Sequence, residues 1–311
     1  MSAHPQQPLD RGAERKPITL PRLAEMKLAA EPIVMVTAYD HPSAQVAEAA
    51  GVDIVLVGDS AAMTVLGYES TVPVGMDEMV ILASAVRRGL KTPLLVGDMP
   101  FGSYERSNEQ AVENAQRFVK EAGCDAVKLE RGGASVDRAR AIIRAGIPVM
   151  GHVGLTPQTA TALGGLRAQG KTASRAAQIA EDALALQAIG CFAIVFEAIP
   201  ADVTAALMPR MDTAAVIGIG AGPDTDGQVL VFHDLLGIFG GHAAKFVKHY
   251  AEVRGEMVRG VAAYANEVRT RAFPSAEHTY AVDAEELEAF CRYLDQEALS
   301  ASDWDWSATE I

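Results

Sequence analysis

The chain has 311 residues, 49% of them hydrophobic and only 6% aromatic, with a formal net charge of −13. That length suffices for one large core or two modest ones, and an acidic chain without a Lys/Arg cluster lacks the basic footprint needed to bind nucleic acid. Cys124, Cys191 and Cys291 are odd in number and far apart, which fits reduced thiols in a cytoplasmic protein; the polar start "MSAHPQQPLDRGAERK" has no signal core, and no apolar run approaches the ~20 residues that span a membrane.

In chain order, residues 1–28 read as an arm leading into a first helix, predicted over Pro21–Ala29. From Ile33 short β-branched runs alternate with stretches of helical period. The predicted strands are Ile33–Thr37, Ile54–Val57, Leu94–Val96, Ala126–Leu129, Pro148–Gly151, Ala193–Phe196 and Ala215–Ile219. The predicted helices between them are Pro42–Ala50, Met76–Gly89, Asn108–Ala122, Ser135–Ala145, Ser174–Ile189 and Val203–Met208. An eighth strand is expected at Gln228–Phe232 or near Lys245. Runs apolar on both faces and joined by helices imply a parallel sheet covered by helices. Seven or eight such units fit a (β/α)8 TIM barrel better than an open sheet, which usually has five or six strands. The barrel is expected over 29–280. Two long connections, 61–75 and 154–174, follow strand C-termini and read as lids or binding loops. The tail, 281–311, holds nine Asp/Glu against Arg292, contains Trp304 and Trp306, and predicts one amphipathic helix over Ala284–Leu294 within a solvated appendage.

Four of the apolar runs deliver an acid at their C-terminal end: Asp59, Asp98, Glu130 and Glu197. One such acid usually caps a helix or forms a turn, but in a barrel four in register converge on one mouth. Carboxylates so close repel unless a hard cation accepts them. Mg2+ is the cation expected, with Asp59, Asp98 and Glu130, on three consecutive strands, as its ligands. Lys128 lies two residues before Glu130 and therefore on the same face. It reads either as the binder of a substrate carboxylate or as the ion-pair partner of Glu130. Ser60 reads as a hydrogen-bond donor beside Asp59 or as a turn cap, and His152 as a substrate-binding group or a packed core histidine. "GIGAG" (218–222) is not a dinucleotide fingerprint, which needs G-x-G-x-x-G opening a helix after an early strand.

The segments "VTAYD", "VGDSAAM", "VGDMPFGSY", "VKLERG", "GHVGLTPQ", "IGIGAGPDTDGQVLVFHDLLG" and "KFVKHY" occur in that order. In them the chain resembles the ketopantoate (3-methyl-2-oxobutanoate) hydroxymethyltransferase family, over roughly Arg22–Tyr280. Ala61 and Ala62 stand where many members have Leu-Gly. The resemblance implies a barrel of the phosphoenolpyruvate/pyruvate-utilising type and a decamer of two five-membered rings. It implies transfer of a one-carbon unit from the co-substrate 5,10-methylenetetrahydrofolate to 3-methyl-2-oxobutanoate, giving 2-dehydropantoate in pantothenate synthesis. It further implies that Asp59, Asp98 and Glu130 hold Mg2+, that Asp59, Ser60, Asp98 and Lys128 contact the 2-oxo acid, and that Glu197 accepts a proton. Two competing readings are a 2-oxo acid lyase or phosphoenolpyruvate mutase on the same scaffold, and a barrel kept for assembly without catalysis. The lyases and mutases generally need a cysteine in the loop after strand five, and "GHVGLTPQ" has none.

Overall fold

The structure, a computed structural model, describes residues 15–241 and 244–296. Residues 1–14 of the expected arm, and Trp304 and Trp306, lie outside the described residues. Among those described, eight parallel strands close into a barrel in chain order. They are β1 (Ile33–Thr37), β2 (Ile54–Val57), β3 (Leu94–Asp98), β4 (Ala126–Lys128), β5 (Val149–Gly154), β6 (Ala193–Glu197), β7 (Ala215–Ile219) and β8 (Gly227–Leu230). The eighth strand therefore comes from the "GQVL" segment and not from the region near Lys245. The helices are α1 (Leu20–Leu28), α2 (His41–Ala50), α3 (Ala61–Thr64), α4 (Met76–Gly89), α5 (Asn108–Ala122), α6 (Ala134–Arg144), α7 (Ala160–Leu163), α8 (Ala173–Ala188), α9 (Ala201–Leu207), α10 (Phe232–Leu235), α11 (Val253–Thr270) and α12 (Ala284–Gln296).

Local chemistry fixes the element ends. In α2 the Asp40 carboxylate accepts from Ser43 N at 2.7 Å while Ser43 Oγ accepts from Asp40 N at 3.2 Å. This reciprocal cap satisfies two donors that the helix cannot. Gly51 ends the same helix at φ 72°, where a side chain would be strained. Ser107 caps α5, and Gly123 ends it in the left-handed region.

The strands are buried on both faces, and period two sorts their side chains. Ile54, Leu56, Leu94, Val96, Val195 and Ile217 pack inside the barrel. Val55, Leu95, Val127, Ile194 and Val216 pack outward against helices that include Phe118 of α5 and Leu186 of α8. Leu23 and Met26 of α1 belong to the inner cluster, so α1 closes the N-terminal end of the barrel. At Gly97 of β3 a Cβ would stand 2.5 Å from Phe118 Cδ1. The missing side chain is what lets the buried ring lie on the strand.

The described residues divide into two compact units, one ending at Arg254 and the other beginning at Gly255. The chain enters α11 at Val253, and that helix has no buried residue. In the second unit α11 and α12 carry exposed apolar side chains, among them Val261, Tyr264 and Phe290.

Candidate active site

The inward series of each strand runs off its C-terminal end into polar residues. Leu94 and Val96 lead to Asp98 on β3. Ala126 leads to Lys128 and then Glu130. Met150 leads to His152 on β5, and Ala193 and Val195 lead to Glu197 on β6. Asp59 is the exception, because on β2 the inward position is Gly58. A turn re-aims it: Ala61 N donates to Gly58 O and Ala62 N to Asp59 O, and Asp59 N then donates to Asp98 Oδ2 at 3.2 Å. Arg131 (φ 77°) and Ala198 (φ 49°) take left-handed backbone directly after Glu130 and Glu197. Such strain, of order 1–3 kcal/mol per residue, persists only where surrounding structure enforces it.

Asp98 and Lys128 are register partners on adjacent strands. Lys128 Nζ donates to both Asp98 oxygens, at 2.7 and 2.9 Å, and lies 4.0 Å from Glu130 Oε1. Its nearest anion is thus Asp98 rather than Glu130, and all three are almost fully buried. Burial opposes the ammonium, but Asp98, Glu130 and Asp59 outweigh it and push its pKa up. It is therefore an anion binder and not an amine nucleophile. Burial, then the charges of Asp98 and Glu130, push the Asp59 carboxyl well above the usual range. Burial also raises Asp98, against the pull of Lys128.

His152 lies between two carboxylates, with Nδ1 3.4 Å from Glu130 Oε1 and Nε2 3.2 Å from Glu197 Oε2. Neither ring nitrogen is aligned for a hydrogen bond, so the attraction is that of an ion flanked by two opposite charges. Burial and Lys128 disfavour the imidazolium, yet the two carboxylates prevail and hold its pKa at about 9. Burial raises Glu130, but His152, Lys128 and the Gln158 N–H together bring it below its ordinary value. Ser60 Oγ is 2.8 Å from Tyr39 Oη and makes no side-chain cap to α3. Burial pushes the Tyr39 phenol up to about 12, so it stays protonated.

Sequence reasoning missed Gln158. Its Nε2 donates to Asp59 Oδ2 and to Met99 O, both at 3.0 Å; its backbone N donates to Glu130 Oε2 at 3.1 Å; its Oε1 accepts from Tyr104 Oη at 2.6 Å. One buried residue thus ties two of the acids together, Asp59 through its side chain and Glu130 through its backbone. Tyr104 and Tyr39 were missed as well. All three reside in quoted motif segments, but no periodicity marks a residue that reaches inward from a loop.

Asp59, Ser60, Asp98, Lys128, Glu130, His152 and Glu197 all line one cavity of about 1040 Å³. Both long connections contribute to its walls, through Met63 and Thr71 on one side and Leu155, Arg167 and Lys171 on the other. Four carboxylates face two cations there, so a divalent cation fits the charge of the site. Asp59, raised by its acidic neighbours, is the group such an ion would relieve. Among the described residues no three His, Cys, Asp or Glu side chains converge as ligands, however. All three expected ligands are already engaged by protein groups: Asp59 by Gln158, Asp98 by Lys128, and Glu130 by the Gln158 N–H and His152. Cys124 and Cys191 are buried, with thiols pushed up to about 12, and no cysteine lines the cavity.

The family model described as ketopantoate hydroxymethyltransferase matches residues 17–276. The chain belongs to that family. It is 53% identical over 272 residues to a 3-methyl-2-oxobutanoate hydroxymethyltransferase of Moorella thermoacetica, covering 86% of this chain and 99% of that one. Identity is 50% over 264 residues to the enzyme of Geobacillus kaustophilus, covering 85% and 94%. It is 48% over 284 residues to the mitochondrial enzyme 1 of Arabidopsis thaliana, covering 89% and 82%. As a member of this family the chain is a transferase. Among solved structures it is similar to a phosphonopyruvate hydrolase in complex with oxalate and Mg++ (TM-score 0.56, 12% identity, covering 91% and 100%). It is also similar to a phosphoenolpyruvate phosphomutase from Streptomyces platensis subsp. rosaceus (TM-score 0.55, 15% identity, covering 89% and 98%). These likenesses show that the barrel fold is shared.

Proposed function

We propose that the cavity transfers a one-carbon unit from 5,10-methylenetetrahydrofolate to 3-methyl-2-oxobutanoate, giving 2-dehydropantoate. The observation that carries this reading is Glu197, an acid whose basic neighbour among the described residues is His152, sharing a cavity with the fixed ammonium of Lys128 and an excess of buried negative charge. The substrate carbon beside the keto group is too weak an acid for a carboxylate to deprotonate unaided, so the site must hold the substrate still and stabilise the enolate. Lys128 binds the substrate carboxylate, and Ser60, held by Tyr39, donates to a substrate oxygen. Asp59, Asp98 and Glu130 would hold Mg2+, which would supply Lewis-acid stabilisation of the enolate when bound. Glu197 takes the proton from carbon, while His152 keeps that carboxylate in place. The enolate carbon then attacks the one-carbon unit of the folate in its iminium form. A positioned base contributes roughly 10²–10⁴-fold, so most of the acceleration must come from electrostatics and positioning.

Proton NMR of 3-methyl-2-oxobutanoate in D2O, before any folate is added, tests this. The methine signal should vanish with wild type and Mg2+ and persist with Glu197→Gln. Normal exchange in the variant would reject Glu197 as the base. Product should form only once methylenetetrahydrofolate is supplied; product without it would favour a lyase or mutase. A decameric assembly and a cytoplasmic location belong to the same proposal. Exposed Val261 and Tyr264 on α11 and the absence of disulfides among the described cysteines support them.

A further inference from the structure

The cavity changes character from inside to outside. Its innermost residues are charged and almost fully buried: Asp98, Lys128, Glu130 and His152. A middle band is apolar and buried, with Leu155, Ala198 and Ile199. The exposed rim carries Arg167, Lys171 and Lys245. Among the described residues none of these three side chains forms a hydrogen bond or an ion pair, whereas Lys128, deep in the cavity, is paired with Asp98. Arg167 and Lys171 come from the connection between β5 and α8, and Lys245 from the segment after α10, so two separate connections bring like charge to one mouth. The cavity's other acids are Glu69, which is exposed, and Asp234, which burial raises.

A five-carbon oxo acid occupies a small part of about 1040 Å³. The rest suits a longer molecule with a flat apolar body and an anionic end. Unpaired like charges at a rim repel one another and are stabilised by such an anion. We propose that Arg167, Lys171 and Lys245 form a subsite for the carboxylates of the folate's glutamate tail, so that polyglutamyl folate is the preferred co-substrate. This rests on the folate-dependent function proposed above and adds to it the form of the folate.

Titration calorimetry with tetrahydrofolate and its triglutamate, on the full chain with 3-methyl-2-oxobutanoate and Mg2+ at saturation, tests the subsite. Wild type should bind the triglutamate roughly tenfold tighter, the sum of a few exposed charge pairs, and ~1 M salt should remove that preference. The Arg167→Ala/Lys171→Ala/Lys245→Ala variant should bind both forms alike. Lys171→Glu, a single change, should weaken the triglutamate more than the monoglutamate and serves if the triple variant does not fold. Equal affinity of wild type for the two forms, or a preference retained in both variants, overturns the subsite. If wild type exchanges the methine proton in D2O but does not discriminate between the folates, only the subsite fails. If it neither exchanges that proton nor binds the monoglutamate, the function fails and the subsite with it.

Discussion

His152 is almost fully buried and is held between Glu130 and Glu197. Its pKa of about 9 against an ordinary 6.5 makes it a pH-dependent part of the fold. A base whose folded pKa is raised contributes stability in full below its unfolded value, and that contribution is lost as pH rises through the folded one. The difference in unfolding free energy between metal-free wild type and His152→Gln should therefore be larger near pH 6 than near pH 9.5. Urea titrations at those two values check this, and an unchanged difference would show that folding does not raise the pKa of the ring. At this scale Asp98, Lys128, Glu130 and Glu197 were legible in the sequence, because period two on an apolar strand says which residue faces in, whereas Asp59 enters the cavity through a turn that the period does not foretell. Gln158, Tyr104 and Tyr39 were not, because their reach depends on loop conformations that carry no period.

The elements meet through small residues placed where bulk would separate them. Gly97 lies under Phe118, and the next residue is Asp98. Gly97→Ala should cost about 1–3 kcal/mol by overpacking, read as a lowered melting temperature. Adding Phe118→Leu should recover part of the loss; a double variant no better than the sum of the two would mean that the ring does not limit the strand. Most element positions could be read from the chain, and α5 was read to the residue, since Ser107 and Gly123 announce its ends. β8 was ambiguous for a physical reason. It is four residues long, Gln228 within it is exposed, and it resembles a turn as much as a buried strand. The helix α11 was hidden because its apolar residues are not covered by any packing that the barrel rhythm foretells.

For the whole molecule, closing the barrel depends on the junction of its first and last strands. β8 pairs with β1 from Ile33↔Gly227 to Val36↔Leu230 but with β7 over two residue pairs only. Asp226 reinforces that junction. Its carboxylate accepts from Lys27 Nζ of α1 and from Val216 N of β7, both at 2.7 Å, and its carbonyl accepts from Ile33 N at 2.9 Å. Asp226→Ala should destabilise the protein by about 2 kcal/mol, since it leaves a partly buried ammonium and an amide unpaired. Chemical denaturation measures this, and no loss would mean that strand pairing alone holds the seam. The acids gather at one end of the barrel, and α1 closes the other. A well stopped at the bottom imposes a sequence of traffic. Under the function proposed above, the small acid has to enter before the bulky folate stands over it, and the finished hydroxy acid has to wait until the folate has gone. Product-inhibition patterns should accordingly show an ordered mechanism in which the oxo acid binds first and its product departs last.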